Sequence, residues 1–518
     1  MQPTARSWYA RMAHCLSLVA QDATTQAAVF GALLVAIIAV PLAMVLSIWT
    51  DEAFTLHTTG YGPVFAWGQS ITFEAQPPLY FLVVSLWRML DESAIWFARI
   101  PSICFAAVSV FAIVKIAHRV APRVNGFAVA AITALNPIVI WAAVEMRVYS
   151  LVMLVGAMLT WTLFEGFLSN TSSRPAKCCY LAFAIIGLYT QYYVGFLLVA
   201  HFVTVFLFRR KEIWSFIGLM VIVAAIFAPF VPAAIFDVRN STDMVAPVSF
   251  FQAMHKIFDA VFVYMLPHDA FATSSVAKIV AFASGSLLLV IVLVVGRPVL
   301  AKGPIFALVW QWALSLVIFG IVFAVTGTPL DTLRHLIVLA PASLLVVLIA
   351  LSFVTRAGLL VTGTALAFFV GFTGVTLWHE YHPPIAKSGE WSRVATIVTA
   401  DGGTIPVAVF AAELAVPLNI YLPVPAISIP RPMPFTLDYV GKTRLMGEYD
   451  VARVLDPIRA RSAYLWIVTD GNKCVSFDPN GYNYNCRFLE AYLTHHYNLV
   501  RSVSFRGSLA RLYERGAV

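Results

Sequence analysis

Two adjacent carboxylates stand where a long apolar run ends, in Trp49-Thr50-Asp51-Glu52-Ala53-Phe54. A carboxylate in that place can act as a general base on a hydroxyl, or stabilise charge that develops nearby. Two solvated interface charges would look the same in sequence. The same polar stretch continues as Glu74-Ala75-Gln76-Pro77-Pro78-Leu79-Tyr80. The double proline fixes an extended turn and holds Glu74 and Gln76 close to the next apolar run. A second polar turn follows Asn136-Pro137 and reads Glu145-Met146-Arg147-Val148-Tyr149. Glu145 and Arg147 can form a simple ion pair, or serve as a second acid with a phosphate ligand. Gln191, Tyr192 and Tyr193 make a third turn, readable as a substrate contact or as an aromatic belt. The fourth holds Asp331, Arg334 and His335 in TPLDTLRHLIVLAP. Arginine suits bidentate phosphate binding.

The elements that must position these residues follow from composition. The chain has 518 residues, of which 60% are hydrophobic and 12% charged. About a quarter of a soluble domain is charged, so a soluble globular enzyme, a disordered chain and a disulfide-rich miniprotein are excluded. The charges are unevenly spread. Residues 1–377 carry 20 Lys/Arg and 14 Asp/Glu, whereas 378–518 carry 14 and 12 in less than half the length. We expect an all-α polytopic membrane domain over 1–377 and a small soluble α/β domain over 378–518. Apolar runs place eleven spans at 27–49, 95–117, 125–143, 148–168, 178–190, 192–208, 213–235, 276–296, 304–326, 335–353 and 357–377. The run 77–90 is short for a span and reads as interfacial. With the N-terminus inside, alternate loops collect 12 Lys/Arg on the inner side, from Arg6 and Arg11 to Arg356. The outer side then holds 11 of the 14 acids that precede residue 378. That bias sets the N-terminus in the cytoplasm and the C-terminal domain outside. It also puts the acid and arginine turns on the outer face. The net charge of +8 reflects this orientation and carries no nucleic-acid signal.

In the outer domain, 406–410 (PVAVF), 464–468 (YLWIV) and 509–513 read as strands, and 392–399 and 487–495 as amphipathic helices. The proline-rich stretch 423–434 is a loop or a sheet edge. Cys474 and Cys486 can close a short disulfide loop in an oxidising compartment, or stay as free thiols. No Cys/His spacing resembles a zinc site, and no phosphate loop or nucleophile elbow is present. In the long polar loop after residue 236, His255 and His268 read as surface or packing residues beside Lys256 and Asp269.

The ordered set Asp51-Glu52-Ala53, Pro77-Pro78-Leu79-Tyr80, Asn136-Pro137, Glu145-x-Arg147-x-Tyr149-Ser150 and Arg334-His335-Leu336 up to Pro341 resembles the GT-C superfamily of membrane glycosyltransferases. It is most similar to the bacterial relatives of dolichyl-phosphate-mannose protein mannosyltransferases. Lipid A aminoarabinose transferases and rhizobial lipopolysaccharide galacturonosyltransferases belong to that group. The resemblance spans about residues 45–345 and is poor for the substrate. It implies transfer of a sugar, with inversion, from a polyprenyl-phosphate donor to an envelope acceptor on the outer face of the cytoplasmic (inner) membrane. That acceptor would be lipopolysaccharide or lipid A, another glycan, a lipid or a protein. It implies Asp51 as general base, with Glu52 and Glu145 as supporting acids. Arg147 and Arg334 would hold the donor phosphate, beside His335. Glu74, Gln76, Tyr149, Gln191 and Tyr192 would line the substrates. Relatives often have His or Lys where this chain has Gln76, and Tyr where it has His335. No cofactor is required, and no metal is assigned, although a divalent ion stays compatible with the residues.

Two other classes fit the composition. A transporter or flippase for a lipid-linked saccharide should show inverted repeats and polar groups at mid-span. No repeat is evident, and the acids cluster in turns. A non-enzymatic scaffold for envelope assembly would explain the outer domain but not the recurring Asp, Glu and Arg.

Overall fold

The computed structural model describes residues 22–242, 249, 257, 264, 303–326, 332–354, 371, 374, 390–400, 402–443, 447–471, 474–475, 484–505 and 507–516. The first helix, α1 (Ala23–Val45), is apolar on every face. Asp22 caps it, accepting from the Thr24 amide at 3.0 Å, and pairs with Lys115 at 3.0 Å. The stretch after it, which we expected to be a polar loop, is helical. It forms α2 (Thr50–Thr59) and α3 (Pro63–Thr72), and α4 (Leu79–Arg88) follows. Both acids of the Asp51-Glu52 pair fall in the first turn of α2. There they offset the unpaired amides and the positive end of the helix dipole. At roughly 1.5 Å per residue, α4 is too short to cross a 30 Å hydrocarbon core.

The next helices are α5 (Ile100–Val120), α6 (Gly126–Leu135) and α7 (Pro137–Ala143). The run 125–143 is therefore a broken helix, bent by 62°. Pro137 removes an amide and pushes Asn136 into extended backbone (ψ 127°). The Asn136 side chain then caps α7, accepting from the Ile138 amide at 3.0 Å. Then come α8 (Tyr149–Leu163), α9 (Arg174–Leu188), α10 (Val194–Phe208), α11 (Ile213–Phe227), α12 (Gly303–Thr326) and α13 (Ala340–Val354). Among the described residues, five helical stretches are long and apolar enough to cross a membrane, or six with the bent pair. The chain is a multi-pass membrane protein. The expected spans at 276–296 and 357–377, and His255, Lys256, His268 and Asp269, lie outside the described residues.

The C-terminal part contains α14 (Trp391–Val398), α15 (Ala412–Asn419), α16 (Glu448–Arg461) and α17 (Arg487–His496). Its strands are β1 (Val407–Phe410), β2 (Ile427–Ser428), β3 (Tyr464–Thr469), β4 (Cys474–Val475), β5 (Tyr484–Asn485), β6 (Tyr497–Phe505) and β7 (Ser508–Arg515). The main sheet runs β2-β1-β3-β7-β6, and β4 pairs only with β5. The strands β1, β2 and β3 are parallel, whereas β7 and β6 are antiparallel additions. The parallel strands carry unbroken apolar runs (VAVF, YLWIV), as strands covered on both faces do. Their core includes Phe410, Trp466, Trp391, Leu418, Leu455 and Leu489. Cys486 is disulfide-bonded.

Chain contacts divide the molecule into two compact units. One comprises 1–44, 93–234 and 247–379. The other comprises 45–92, 235–246 and 380–518, so α2, α3 and α4 belong with the α/β sheet.

Candidate active site

In the α/β-bearing unit, Glu52 is buried and Asp51 is half-buried, one residue apart on the first turn of α2. The Thr55 hydroxyl donates to the Asp51 carbonyl at 3.1 Å. The helix is held from several sides. Arg88 on α4 donates to the Leu56 carbonyl at 2.6 Å and to the Thr59 hydroxyl at 2.8 Å. The Tyr421 hydroxyl accepts from the Ile48 amide at 2.8 Å, two residues ahead of α2. Phe54 meets Phe73, Phe435 and Tyr439 edge-on. The His57 ring stacks on Phe435, and burial pulls the imidazole pKa below its ordinary value.

The turn before the double proline is tied to α2. Thr58 donates to the Glu74 carboxylate at 3.1 Å, and the Gln76 amide donates to the Ser70 carbonyl at 2.9 Å. Ala75 adopts a left-handed conformation (φ 51°). The Gln76 side-chain carbonyl is buried, with no hydrogen-bond partner among the described residues. Asp51, Glu52, Glu74 and Gln76 thus belong to one well-braced helical segment.

In the other unit, Glu145, Arg147 and Tyr149 lie on the short connection from α7 into α8, and all three are buried. Trp141 stacks on Tyr149 with centroids 4.9 Å apart. The side-chain carbonyl of buried Gln191 has no hydrogen-bond partner among the described residues. His335 ends a short helix, Thr332–His335, and its ring is 5.0 Å from that of Tyr193. Tyr192 packs instead toward Phe227 and Phe230. Sequence reasoning placed Tyr192 among the substrate residues and left its neighbour out. Adjacent aromatics at a helix start point to different sides, and nothing local says which one meets His335.

A close approach fixes the segment after His335. A Cβ at Gly156 would lie 2.2 Å from the Val338 carbonyl oxygen. Only glycine lets α8 touch the 3-10 turn Ile337–Leu339 so closely. Glu145, Arg147 and Tyr149 at the head of α8 and Arg334-His335 ahead of that turn are therefore anchored to one packed core. Both Arg334 and His335 are half-buried. Among the described residues, no group of three or more His, Cys, Asp or Glu side chains could hold a metal ion.

No family model matches the chain, and no curated protein does. Solved structures do. ArnT from Cupriavidus metallidurans in the apo state matches at 15% identity with a TM-score of 0.52, over 98% of each chain. ArnT from the same organism bound to undecaprenyl phosphate matches at 15% identity and a TM-score of 0.55, over 95% of this chain and 98% of that one. The mycobacterial arabinofuranosyltransferase AftD matches at 14% identity and a TM-score of 0.40, over 96% of this chain and 40% of its own. Over nearly its whole length, the chain has the fold of ArnT.

Proposed function

We propose that the protein is a glycosyltransferase that takes a sugar from a polyprenyl-phosphate donor and passes it to an envelope acceptor. The observation that carries this reading is the likeness to ArnT over nearly the whole of both chains, one of those ArnT structures holding undecaprenyl phosphate. The acid and arginine turns support it. In the proposed reaction, an acceptor hydroxyl attacks the anomeric carbon and its proton passes to the Asp51 carboxylate. The bond from that carbon to the phosphate oxygen breaks, with its electron pair leaving on the polyprenyl phosphate. Attack opposite the leaving group inverts the configuration. Arg147 and Arg334 neutralise the charge that grows on the phosphate, with His335 beside them. Glu52 and Glu145 are supporting acids. Glu74, Gln76, Tyr149, Gln191 and Tyr192 contact the substrates. No cofactor enters the proposal.

The site faces the outside of the cytoplasmic membrane in this reading, with the N-terminus in the cytoplasm and the C-terminal unit outside. Envelope glycolipids and glycans compared by mass spectrometry, with and without the gene, test the function. Loss of a sugar of defined mass from one acceptor is the expected outcome. Unchanged envelope glycans, together with no transfer from polyprenyl-phosphate sugars in protein-containing membranes, would refute it. A reporter fused after Val518 tests the orientation and should be active only outside.

A further inference from the structure

The residues just ahead of α2 are irregular and buried. Ile48 is fully buried and Trp49 nearly so. Trp49 precedes the helix in extended backbone (φ −114°, ψ 174°) and gives it no side-chain cap. An indole N–H only donates, whereas the open amides of a first turn need an acceptor. The helix that carries Asp51 and Glu52 therefore has no local cap to fix where it begins. A residue from far along the chain does this instead. The Tyr421 hydroxyl accepts from the Ile48 amide at 2.8 Å, three residues ahead of Asp51. A buried amide left without an acceptor is costly. The Ser392 amide adds a longer bond to the Ser47 hydroxyl at 3.4 Å. Tyr421 is itself held in place. Its amide donates to the Leu418 carbonyl at 3.0 Å, in the turn that ends α15. The Asn419 side chain accepts from the Ala426 amide at 2.7 Å and closes the connection to β2. The Tyr421 side chain packs against the core of the sheet, and α15 packs against α2.

We propose that Tyr421 is a positioning residue for the transfer reaction, its hydroxyl setting the start of α2 and so the place of the Asp51 carboxylate. The role in transfer rests on the reading of Asp51 as the base, but the hold on α2 can be tested without turnover. A helix start that slips by one residue turns each side chain of its first turn by about 100°. A general base works only within hydrogen-bond reach of its proton, and a misplacement of about 1 Å can cost about 10²-fold in rate. The other end of α2 has its own anchor, because Arg88 donates to the Leu56 carbonyl and the Thr59 hydroxyl. Loss of the Tyr421 hydroxyl should therefore loosen the end that bears the acids and leave the far end fixed.

Tyr421→Phe keeps the ring and removes only the acceptor, and Tyr421 is half-buried, so the variant should fold. The control is Tyr464→Phe on β3, which loses a hydroxyl bonded to Glu514 at 3.0 Å in the same unit. Hydrogen exchange of the full chain in detergent is read by mass spectrometry. In Tyr421→Phe the amides of 46–54 should exchange about tenfold faster, while those of 56–60 and of the sheet keep wild-type rates. Transfer is then measured with polyprenyl-phosphate sugars and envelope glycolipids extracted from the cells. Turnover of Tyr421→Phe should fall about 10- to 100-fold, with the apparent donor KM within about twofold of wild type. Tyr464→Phe should match wild type in both measurements. Added to Asp51→Asn, Tyr421→Phe should cause no further loss, because there is no longer a base to misplace. Wild-type exchange at 46–54 would overturn the proposal. So would an equal fold-loss in the wild-type and Asp51→Asn backgrounds, which marks a merely structural role. Full turnover in Tyr421→Phe beside an inactive Asp51→Asn would refute the positioning alone. A wild-type chain with no transferase activity would refute the function, and with it the role of Tyr421 in transfer, while the exchange rates still decide whether Tyr421 sets the helix start.

Discussion

The rings of His57 and Phe435 lie 3.5 Å apart and within 10° of parallel. The first follows Asp51 and Glu52 on the same helix, α2. The second belongs to the proline-rich segment before α16. The stack thus ties the helix that bears the acid pair to the α/β sheet. His57 is half-buried, and burial holds its pKa below the ordinary 6.5. The folded chain therefore resists protonation that the unfolded chain accepts. Its contribution to stability is complete above 6.5 and is lost as the pH falls through that value. We predict that thermal stability in detergent drops between about pH 7 and pH 5, and that His57→Phe, which keeps a stack, drops less. Equal slopes for the two proteins would refute the coupling. His496, which shifts in the same direction, is present in both and cancels.

Gly156 gives the second prediction. Its missing Cβ would sit 2.2 Å from the Val338 carbonyl oxygen, and a backbone oxygen cannot rotate aside. Gly156→Ala should cost about 1–3 kcal/mol, the usual penalty for overpacking. It should also shift the turn that follows His335. The control is Gly218→Ala on α11, where an added Cβ meets nothing within 4 Å. That change should be neutral or stabilise by up to about 1 kcal/mol, because alanine is the better helix former. Thermal melts of the two variants decide it, and equal melting would remove the close approach.

Much of this architecture is legible in the chain itself, and the illegible parts have physical causes. Long apolar runs announce α1, α5, α8, α11 and α12, and Asn136-Pro137 announces a break. The strands β1 and β3 show as apolar runs too. In contrast, α2 and α3 carry polar residues at the positions a soluble helix would use for its core, so they read as loop. Their apolar partners, such as Phe435 and Tyr439, are hundreds of residues away. The strand β6 is exposed over most of its length and shows no apolar run to signal it. The candidate residues stand out in the sequence by type, whereas the attachment of α2 to the distant sheet does not. Tyr193 was hidden for a similar reason. Its meeting with His335 depends on the packing of α10 with α12 and the turn after His335.

Asp51 and Glu52 should separate cleanly. Asp51 is half-buried at the start of α2, while Glu52 is 1% exposed. If Asp51 is the base, Asp51→Asn keeps the shape and polarity of the side chain but cannot take the proton. Transfer should fall by at least about 10²-fold, the usual worth of a positioned base, with an unchanged melting temperature. Glu52→Gln should act first on stability, because it removes a buried negative charge from the positive end of the α2 dipole. Product formation from a polyprenyl-phosphate sugar and thermal melts are measured on both variants. Near wild-type turnover in Asp51→Asn would end its assignment as base.

The arginine that precedes His335 offers the sharpest contrast between charge and geometry. Arg334 is half-buried, held in the short helix that the Gly156 contact anchors through the following turn. If it grips the donor phosphate with its fork, Arg334→Lys keeps the charge and loses the bidentate match, while Arg334→Ala loses both. Donor KM should rise modestly in the first and more steeply in the second, with acceptor KM unchanged in each. The turnover number should fall as well, because negative charge on the leaving phosphate grows in the transition state. A Tyr193→Phe variant separates this from ring packing. It keeps the contact with His335 and removes only the hydroxyl, so it should leave donor KM near wild type. Donor KM that stays flat in both arginine variants would take Arg334 out of the phosphate site and leave Arg147 as the remaining candidate.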